Sequence, residues 1–545
     1  MPQPGNHGCL RSESGFAMLL AIAFMVIASL LIVAISNLTL TEVGTARTLE
    51  KGTVAFAIAG GAMERAIAVL RLDKDWSAQS GATANLDPAG VTFKPLVDQF
   101  QPGGGNAVNR PFPATAAIGT YSIEIRKAAT DPTNNVWVRT LGTYGGASRS
   151  IEAELHRLTP ADFSTYTAGT YSALKNGGGN VTIHGSAYFY SDLLIKAVKT
   201  GFYNDRGINA GDRAPYTNQL FVRGTLDMSK GNPSIGTQSQ PMWAVHAGHI
   251  NNPSKNIYTY ELDNVVPVIT YPNVAGYIAC LTGQPGCPGG LTVTAPGNAL
   301  SSGTGPMVIC TGVNQPTTTT DLTLGSSYFY VPTTANANCA TAPTGAGPSS
   351  ALSYMLVWDP SQTVPLQLNS AQGSAPILIP GVVITQKPVS YSGRGTLVAA
   401  NTNNQANGLD TSNGGQILAQ NPASGTGDVL GCGYTQPSSM PGSDLLTIVV
   451  AGSAVMQGSG NTCSQEQDLV LIVGETPNTN KFTSTKNVQI FGVVITEQLD
   501  TTQNPDFWQV PGLEQALLPP VLQVLAATGP QPISILRWHE LTPQQ

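Results

Sequence analysis

The chain has 545 residues, of which 41% are hydrophobic and only 11% are charged, with a formal net charge of -6. This composition excludes a wholly disordered chain, because it supplies enough apolar residues for buried cores. The 59 glycines and 39 prolines exclude a bundle of long helices and indicate many turns and short elements. The small net charge gives no overall signal for nucleic-acid binding.

An apolar segment near the N-terminus predicts a membrane helix. Residues 15–41 carry no charged side chain, and this run is longer than the about 20 residues that span a bilayer. A secretory signal has a shorter apolar region with its cleavage site behind it. Here a short polar leader precedes the apolar run and ends at Ser14 and Gly15. We therefore expect a single-pass anchor with the large C-terminal part exported.

The helical pattern continues beyond the membrane segment. Proline is absent between Gly5 and Pro88, and apolar residues recur at a spacing of three to four up to Leu72. The sequence predicts one helix over residues 16–72, about 85 Å long at 1.5 Å per residue. Its first half is a membrane segment and its second half is amphipathic.

Two short stretches carry a family resemblance. The leader resembles the class III signal of type IV pilins and pseudopilins, whose prepilin peptidase cuts after a glycine and methylates the new N-terminal residue, here Gly15 and Phe16. Residues 55–66, AFAIAGGAMERA, are similar to the AFYAAEAGLERA stretch of the PilX N-terminal family, with departures at Ala57, Ile58 and Gly60.

The resemblance implies a minor type IV pilin. Such a protein sits in the bacterial inner membrane until the pilus assembly machinery there moves it into a pilus. Its expected partners are prepilin peptidase, that machinery, and other major and minor pilins. The alternative is an ordinary single-pass anchor on an exported protein.

One departure from the pilin pattern concerns filament position. Pilins commonly carry Glu at the fifth mature residue, where it neutralises the N-terminal amine of a neighbouring subunit, and this chain has Leu20 there. An unpaired charge inside a membrane is costly. A subunit that lacks this carboxylate cannot pair with a subunit ahead of it, so we expect a tip or initiating position. A minor pilin that has simply lost the residue is the alternative.

The cysteines agree with export. Cys9 lies in the leader, and six others remain after processing: Cys280, Cys287, Cys310, Cys339, Cys432 and Cys463. They do not have metal-ligand spacing. Nearest-neighbour pairing would close three short loops in an oxidising compartment, although six cysteines permit 15 connectivities. Six buried free thiols are the alternative.

The pattern downstream of the helix predicts an α+β fold. A Gly- and Pro-rich loop is expected over about residues 77–113. Three runs of alternating hydrophobicity then predict an antiparallel β-sheet packed on the helix; they cover residues 119–128, 135–144 and 147–158. The last such run, residues 533–541, is expected to return to this sheet.

Between these runs, short β-rich pieces predict a large β-solenoid-like (β-helix) insert before the final strand. They cover residues 180–190, 220–228, 377–385, 395–403, 445–456, 469–475 and 488–496. The sequence GVVIT occurs at residues 381–385 and again at 492–496. A β-sandwich is the competing architecture. The whole arrangement resembles competence pseudopilins of the ComZ type, whose family role is DNA capture in natural transformation.

These patterns divide the chain into five segments. They are the prepilin leader 1–15, the transmembrane and stalk helix 16–76, the pilin sheet region 77–165, the solenoid-like insert 166–500, and the C-terminal return 501–545.

The sequence offers little sign of catalysis. Carboxylates in the insert are scattered rather than paired for acid and base roles. His246 and His249 form an HxxH motif without a clear third metal ligand. We therefore expect a protein without enzymatic activity, cofactor or metal, and a β-helix carbohydrate-active enzyme is the less favoured alternative.

Charge is unevenly distributed in the insert. Residues 171–255 hold eight basic and four acidic residues, whereas residues 256–545 hold five and fifteen. Cations that neutralise phosphates, next to rings that stack on bases, are typical of a nucleic-acid groove. The candidate DNA-binding residues are Lys196, Lys199, Arg206, Arg213, Arg223, Lys230, Tyr203 and Trp243. A pilus-tip adhesin that binds a surface or glycan through the same aromatic residues is the alternative to binding of extracellular DNA.

Overall fold

The computed structural model describes a defined part of the chain. The described residues are 13–73, 92–100, 104–113, 117–127, 135–169, 171–174, 180–196, 199–205, 216–252, 256–269, 271–282, 285, 287, 301–302, 305–306, 329–330, 355–358, 366–368, 376–379, 382–384, 388–401, 406–412, 415–419, 444–458, 467–474, 480–485, 487–501, 504–510, 513 and 532–541.

Helix α1 spans Glu13–Leu72, so it begins three residues before the predicted start. Within the described residues it is the one helix that is long and apolar enough to cross a membrane. The apolar window of this helix is not buried against any other part of the chain. Its N-terminal half therefore offers apolar surface to a membrane or to other molecules.

The C-terminal half of α1 is buried by small side chains. Ala55, Ala59, Ala62 and Ala66 are at most 1% exposed. Their spacing of three and four residues places them on one face of the helix. A face of alanines lets the helix backbone lie close to the surface on which it packs.

That surface is an antiparallel sheet. Its strands are β1 (Lys94–Pro95), β2 (Arg110–Phe112), β3 (Gly119–Arg126), β4 (Asn135–Tyr144), β5 (Ala147–Arg157) and the last strand of the chain, β34 (Ile533–Leu541). The order is β1-β3-β4-β5-β34, with β2 beside β3. Ile123, Val138 and Ala153 are fully buried and pack against α1.

Strand β34 lies antiparallel beside β5, with Trp538 opposite Ala153. The chain therefore comes back to the first sheet after the long intervening region. Strands β1 and β2 lie within residues 77–113, for which the sequence predicted only a loop. They are two and three residues long, too short to produce an alternating pattern.

Gly142 on β4 sets the distance between helix and sheet. A Cβ atom at this position would collide with the carbonyl oxygen of Ala55 and lie 2.6 Å from the amide nitrogen of Ala59. The helix backbone occupies the space that a side chain would need. Contact this close requires glycine.

We predict that Gly142→Ala lowers the free energy of unfolding by about 1–3 kcal/mol, the usual range for overpacking. Gly60→Ala is the matched control, because a Cβ there has no neighbour within 4 Å. This control should gain about 0.4–1 kcal/mol through a stiffer unfolded chain. Thermal unfolding of the full chain in detergent measures both variants, and equal stability of the two would contradict the close contact.

The remaining strands form mainly parallel pairs. In the first half they are β6 (Thr165–Thr167), β7 (Tyr171–Leu174), β8 (Asn180–His184), β9 (Ala187–Phe189), β10 (Asp192–Ile195), β11 (Lys199–Tyr203), β12 (Gln219–Asp227), β13 (Ser234–Ile235), β14 (Met242–Asn251), β15 (Asn256–Ile257) and β16 (Thr259–Asp263). A short helix, α2 (Val274–Thr282), follows.

The second half continues this series. Its strands are β17 (Ser301–Ser302), β18 (Gly305–Pro306), β19 (Phe329–Tyr330), β20 (Met355–Trp358), β21 (Leu366–Leu368), β22 (Ile377–Ile379), β23 (Val382–Ile384), β24 (Pro388–Ala399), β25 (Asn407–Asp410), β26 (Gln416–Ala419), β27 (Leu445–Val450), β28 (Ser453–Met456), β29 (Gln467–Val473), β30 (Lys481–Ser484), β31 (Gln489–Thr496), β32 (Gln498–Thr501) and β33 (Asp506–Trp508). Strands β17 and β18 pair antiparallel with each other, and β19 pairs antiparallel with β20. We call strands β6–β16 and β20–β33 the parallel region.

One row of residues runs through nine successive strands of the parallel region. In register order its members are Val398, Val449, Ile472, Ile495, Tyr166, Tyr188, Phe221, His246 and Asp263. Tyr166 and Tyr188 stack with ring centroids 4.9 Å apart. Along the stack, the members of this row change from aliphatic to aromatic to polar. The polar end of the row lies in β16, the strand at one end of the stack.

The order of strands in space differs from their order in sequence. Strands β31, β32 and β33 pair with β6, β7 and β8. The later half of the region therefore stacks against the first strands of the earlier half. The chain enters and leaves near the middle of the stack, and the segment between β16 and β20 connects opposite ends.

Part of that connecting segment packs along the outside of the stack. The hydroxyl of Tyr188 donates to the carbonyl oxygen of Pro267 and that of Tyr166 to the carbonyl oxygen of Ile269, both at 2.8 Å. Burial raises the pKa of Tyr188 to about 12, so this hydroxyl keeps its proton even above pH 10, where an exposed tyrosine ionises. The connecting segment therefore covers the aromatic part of the row and is held to it by these two hydrogen bonds.

Several predicted boundaries need correction. Parallel pairing begins at Thr165 and extends to Trp508, whereas the sequence predicted an insert over residues 166–500. The predicted piece at residues 180–190 is two strands, β8 and β9, with a bend at Gly185, whose φ is +106°. A left-handed backbone favours glycine and breaks the strand.

The two GVVIT copies do not occupy equivalent positions in the stack. Val383 of the first copy pairs with Leu409 of β25, which belongs to the row that passes through β28 and β30. Val494 of the second copy pairs with Thr165 of β6. The two copies therefore occupy different rows of the stack.

Candidate functional site

A buried polar network joins the antiparallel sheet to the parallel region. At the end of β5, Nε2 of His156 lies 2.9 Å from Oδ1 of Asp162, and both side chains are at most 1% exposed. Nδ1 of His156 contacts the side-chain oxygen of Asn135. The other carboxylate oxygen of Asp162 accepts a hydrogen bond from Oγ1 of Thr159 at 3.0 Å. Each buried polar group here has a partner, as a stable junction requires.

Gln509 connects the place where the chain enters the parallel region with the place where it leaves. Its side-chain nitrogen donates to the carbonyl oxygen of Asp162 at 2.8 Å. Its side-chain oxygen accepts from the amide of Ser186 at 2.7 Å. Both hydrogen bonds are buried. Through them, Gln509 holds together the segments by which the chain enters and leaves the parallel region.

A cleft of about 650 Å³ lies beside this junction. Its walls come from Arg71 at the end of α1, from residues 532–535 at the start of β34, and from strands β12, β14 and β16 of the parallel region. Trp243 and Glu261 line it from β14 and β16. The cleft is therefore shared between the two sheets.

His246 is fixed in the wall of this cleft. Its Nδ1 lies 2.7 Å from Oδ1 of Asp263, and its Nε2 lies 3.1 Å from the side-chain oxygen of Gln219. Its ring stacks on Phe221 at 4.7 Å. His249 lies three positions further on the same strand, β14, and residues at this spacing point to opposite faces. The HxxH motif therefore does not converge on one metal ion.

Apolar side chains dominate the open part of the cleft. Val265 is 71% exposed and Val268 is 48% exposed. Ile535 on β34 and Trp243 on β14 also remain partly exposed. In the described residues, no group of three or more His, Cys, Asp or Glu could hold a metal ion. The cleft is therefore suited to bind an apolar side chain, which would lie beside the carboxylate of Glu261.

The structure describes the side chains of five of the eight predicted DNA-binding residues. Lys196 and Lys230 are exposed and follow β10 and β12, which are adjacent in register with Leu194 opposite Asp227. These two lysines therefore lie at the same edge of the stack. Arg213 and Arg206 fall outside the described residues, and of Lys199 only the strand position is described.

The other three candidates lie elsewhere. Arg223 is exposed at a bulge in β12, with its guanidinium 4.6 Å from the ring centroid of Tyr190. Tyr203 is half-buried and stacks on His184 at 5.0 Å, and burial raises its pKa. Trp243 lines the cleft. The grouping of these basic and aromatic residues into one nucleic-acid groove stays a prediction.

The predicted N-terminal and cysteine positions are only partly described. Gly15 and Phe16 lie in α1, and Leu20 is 53% exposed on the apolar half of that helix. Cys280 and Cys287 form a disulfide. The other four cysteines of the predicted set lie outside the described residues: Cys310, Cys339, Cys432 and Cys463.

The sequence did not reveal the cleft. Its walls come from residues near positions 71, 158, 219–268 and 532–535, which only the fold brings together. The one available signal in the sequence was the alternation of apolar and charged residues at Tyr260, Glu261 and Leu262. Such alternation is typical of a β-strand. That strand was not among the predicted pieces.

Comparisons with known proteins give a distant likeness to a solved structure. No family model matches the sequence, and no curated protein matches it. Among solved structures, the chain is similar to the crystal structure of the competence-associated pilin ComZ from Thermus thermophilus, with 14% identity and a TM-score of 0.33 over 91% of this chain and 98% of that chain. A score at this level does not establish a shared fold.

Proposed function

We propose that this chain is a membrane-anchored pilin-type subunit, of the PilX-like minor class. The observation that carries the proposal is the division of α1. One continuous helix, Glu13–Leu72, exposes an apolar half long enough for a bilayer and buries an alanine face on an antiparallel sheet. A helix of this kind can be held in a membrane or among other helices while its sheet stays outside.

The finer features of the proposal follow from the N-terminal sequence. Prepilin peptidase removes the leader after Gly15 and methylates Phe16. The assembly machinery of the bacterial inner membrane then moves the subunit into a pilus with other pilins. Leu20, in place of a carboxylate, favours a position at the filament tip.

The parallel region supports a display role. Its strands stack as a β-solenoid in this proposal, and the solenoid projects from the pilin sheet through the junction at His156 and Gln509. The activity is binding or assembly rather than catalysis. No cofactor or metal takes part.

We predict that the full chain, expressed in a cell with type IV pilus machinery, loses its leader and begins with methylated Phe16. Gly15→Val should prevent the cleavage, because a branched side chain replaces the glycine at the cut. Gly44→Val is the matched control in the same helix, where a Cβ has no neighbour within 4 Å. Mass spectrometry of the N-terminus gives the result, and a wild-type chain that keeps its leader would contradict the pilin assignment.

A second candidate function is binding of extracellular DNA at the edge that carries Lys196 and Lys230. The observation that favours it is the exposure of these two lysines on adjacent strands. Strands in a sheet lie about 4.8 Å apart, so both ammonium groups can reach one phosphate backbone. The functional role would be DNA capture by the displayed region.

For this candidate, we predict that the double variant Lys196→Gln and Lys230→Gln weakens duplex DNA binding. The slope of log affinity against log salt should fall by about two, because each lysine neutralises one phosphate. Lys481→Gln is the control, because Lys481 lies elsewhere on the stack beside Asp500. Unchanged slopes in the double variant would exclude this edge, and absence of wild-type binding at low salt would favour the adhesin alternative.

A further inference from the structure

Among the strands that the structure describes, β16 is an open end of the parallel region. It pairs in parallel with β14, with Ala244 opposite Glu261 and Val245 opposite Leu262. Leu262 continues a row in which Val245 and Leu220 are fully buried. Leu262 itself is 53% exposed. An inward-facing leucine is left partly uncovered because no other strand that the structure describes stacks over it.

Polar and apolar residues alternate along β16. Tyr260 is 64% exposed and Leu262 is 53% exposed, with Glu261 between them and Asp263 after them. An exposed edge strand presents unpaired backbone groups to a second strand, and the two exposed apolar side chains offer it a surface on which to pack.

The charge of this edge selects the partner. Oδ1 of Asp263 lies 2.7 Å from His246, whereas the carboxylate of Glu261 makes no hydrogen bond or ion pair with the described residues. A strand added beside β16 would place a side chain opposite Glu261. Opposite charges in such a cross-strand pair stabilise the sheet, and like charges destabilise it.

A second copy of β16 does not fit this edge. Symmetric pairing of two copies would bring acidic residues of one strand against acidic residues of the other. A strand from a different chain fits this edge if it carries Lys or Arg opposite Glu261. Its apolar residues would then lie opposite Tyr260 and Leu262 and cover them.

The cleft beside β16 extends the same surface. Trp243 contacts Tyr260, with ring centroids 5.8 Å apart, and also lines the cleft. Val265, two residues after the end of the strand, is exposed on the cleft wall. A bound segment that follows β16 would therefore reach a pocket for one large apolar side chain, the usual anchor of a peptide interface.

We infer that β16 receives a β-strand from another protein, and that this strand alternates apolar residues with Lys or Arg. The added strand forms main-chain hydrogen bonds with β16, covers Tyr260 and Leu262, and pairs a cation with Glu261. This is recognition by strand addition. The inference goes beyond the proposed function and does not depend on it.

The test uses the full chain in detergent micelles and two labelled probe peptides. One has the sequence Ser-Val-Lys-Val-Lys-Val-Ser and the other Ser-Val-Glu-Val-Glu-Val-Ser. Fluorescence anisotropy should show that the basic peptide binds at least about tenfold more tightly than the acidic one, since only the first pairs with Glu261. Equal affinities, or no binding of either peptide, would overturn the inference.

A charge reversal locates the site. Glu261→Lys should exchange the preference, so that the acidic peptide binds more tightly. Glu64→Lys is the matched control, because Glu64 is exposed on α1 and away from the cleft. A preference that stays with the basic peptide in Glu261→Lys would show that binding occurs elsewhere.

Two further measurements separate strand addition from simple charge attraction. The basic peptide with N-methyl groups on alternate residues keeps its charge but loses main-chain donors, and it should lose about tenfold or more in affinity. Hydrogen exchange should show protection at residues 259–263 only with the unmethylated peptide. Equal binding of the methylated peptide, or dimerisation of the chain through β16, would contradict the proposal.

Discussion

Replacing His156 by leucine is expected to lower the free energy of unfolding by about 2–3 kcal/mol, because it leaves two buried hydrogen-bonding groups without their partner. Asp162 would keep its carboxylate in a site that is 1% exposed, and its Oδ1 would lose the imidazole at 2.9 Å. The side-chain oxygen of Asn135 would lose its imidazole partner as well. Denaturant unfolding of the full chain in detergent measures the loss.

Two controls test the physical cause of this effect. His249→Leu removes an exposed histidine and should change stability by less than about 0.5 kcal/mol. The double variant His156→Leu and Asp162→Leu should recover part of the loss, because it removes the unpaired carboxylate. The recovery should be partial, since the double variant leaves Asn135 and Thr159 without their partners. If the double variant is as unstable as the sum of the single variants, the pair is not coupled.

This junction is where sequence reasoning reached its limit. The alternating runs were long enough to predict β3, β4, β5 and β34 within one or two residues at their ends. The length of α1 was predicted for the same reason, since one period extends over the whole segment without proline. His156 and Asp162, by contrast, are ordinary members of a strand and a turn, and their partnership depends on a bend of the chain.

The parallel region shows the same limit more strongly. Consecutive members of its long row are separated by 22 residues from Tyr166 to Tyr188, but by 33 from Tyr188 to Phe221. Turns of different length hide the period that repeated strands would otherwise give. The pairing of β31 with β6 joins segments more than 300 residues apart, and no local pattern predicts it. The exposed edge at β16 follows from that order of stacking, so it too was beyond the sequence.

The second large effect concerns pH and Asp506. Asp506 opens β33, between Gln489 of β31 and Thr182 of β8, and is 8% exposed. Burial raises the pKa of this carboxyl to about 6, and the neighbouring polar groups of Thr182 and Gln489 only partly oppose the shift. The folded protein therefore holds this proton at pH values where the unfolded chain, with a pKa of 3.8, has lost it.

The sign of the pH dependence follows from proton linkage. Between about pH 4 and pH 6 the folded state binds more protons at this site than the unfolded state, so the free energy of unfolding falls as pH rises. The total loss from this group is about 3 kcal/mol, because each unit of pKa difference corresponds to about 1.4 kcal/mol. Above about pH 6 the contribution stays at its lower value.

Asp506→Asn should remove this dependence, because the amide stays neutral at every pH. The variant should be more stable than the wild type above pH 6 and similar to it near pH 4. Hydrogen exchange at residues 506–508 across pH 4–7.5, corrected for the intrinsic exchange rate, reports the local free energy of opening. Glu64→Gln, at an exposed site on α1, should keep the wild-type dependence. If Asp506→Asn follows the wild-type curve, the carboxyl is already ionised in the folded protein, and water reaches this part of the stack.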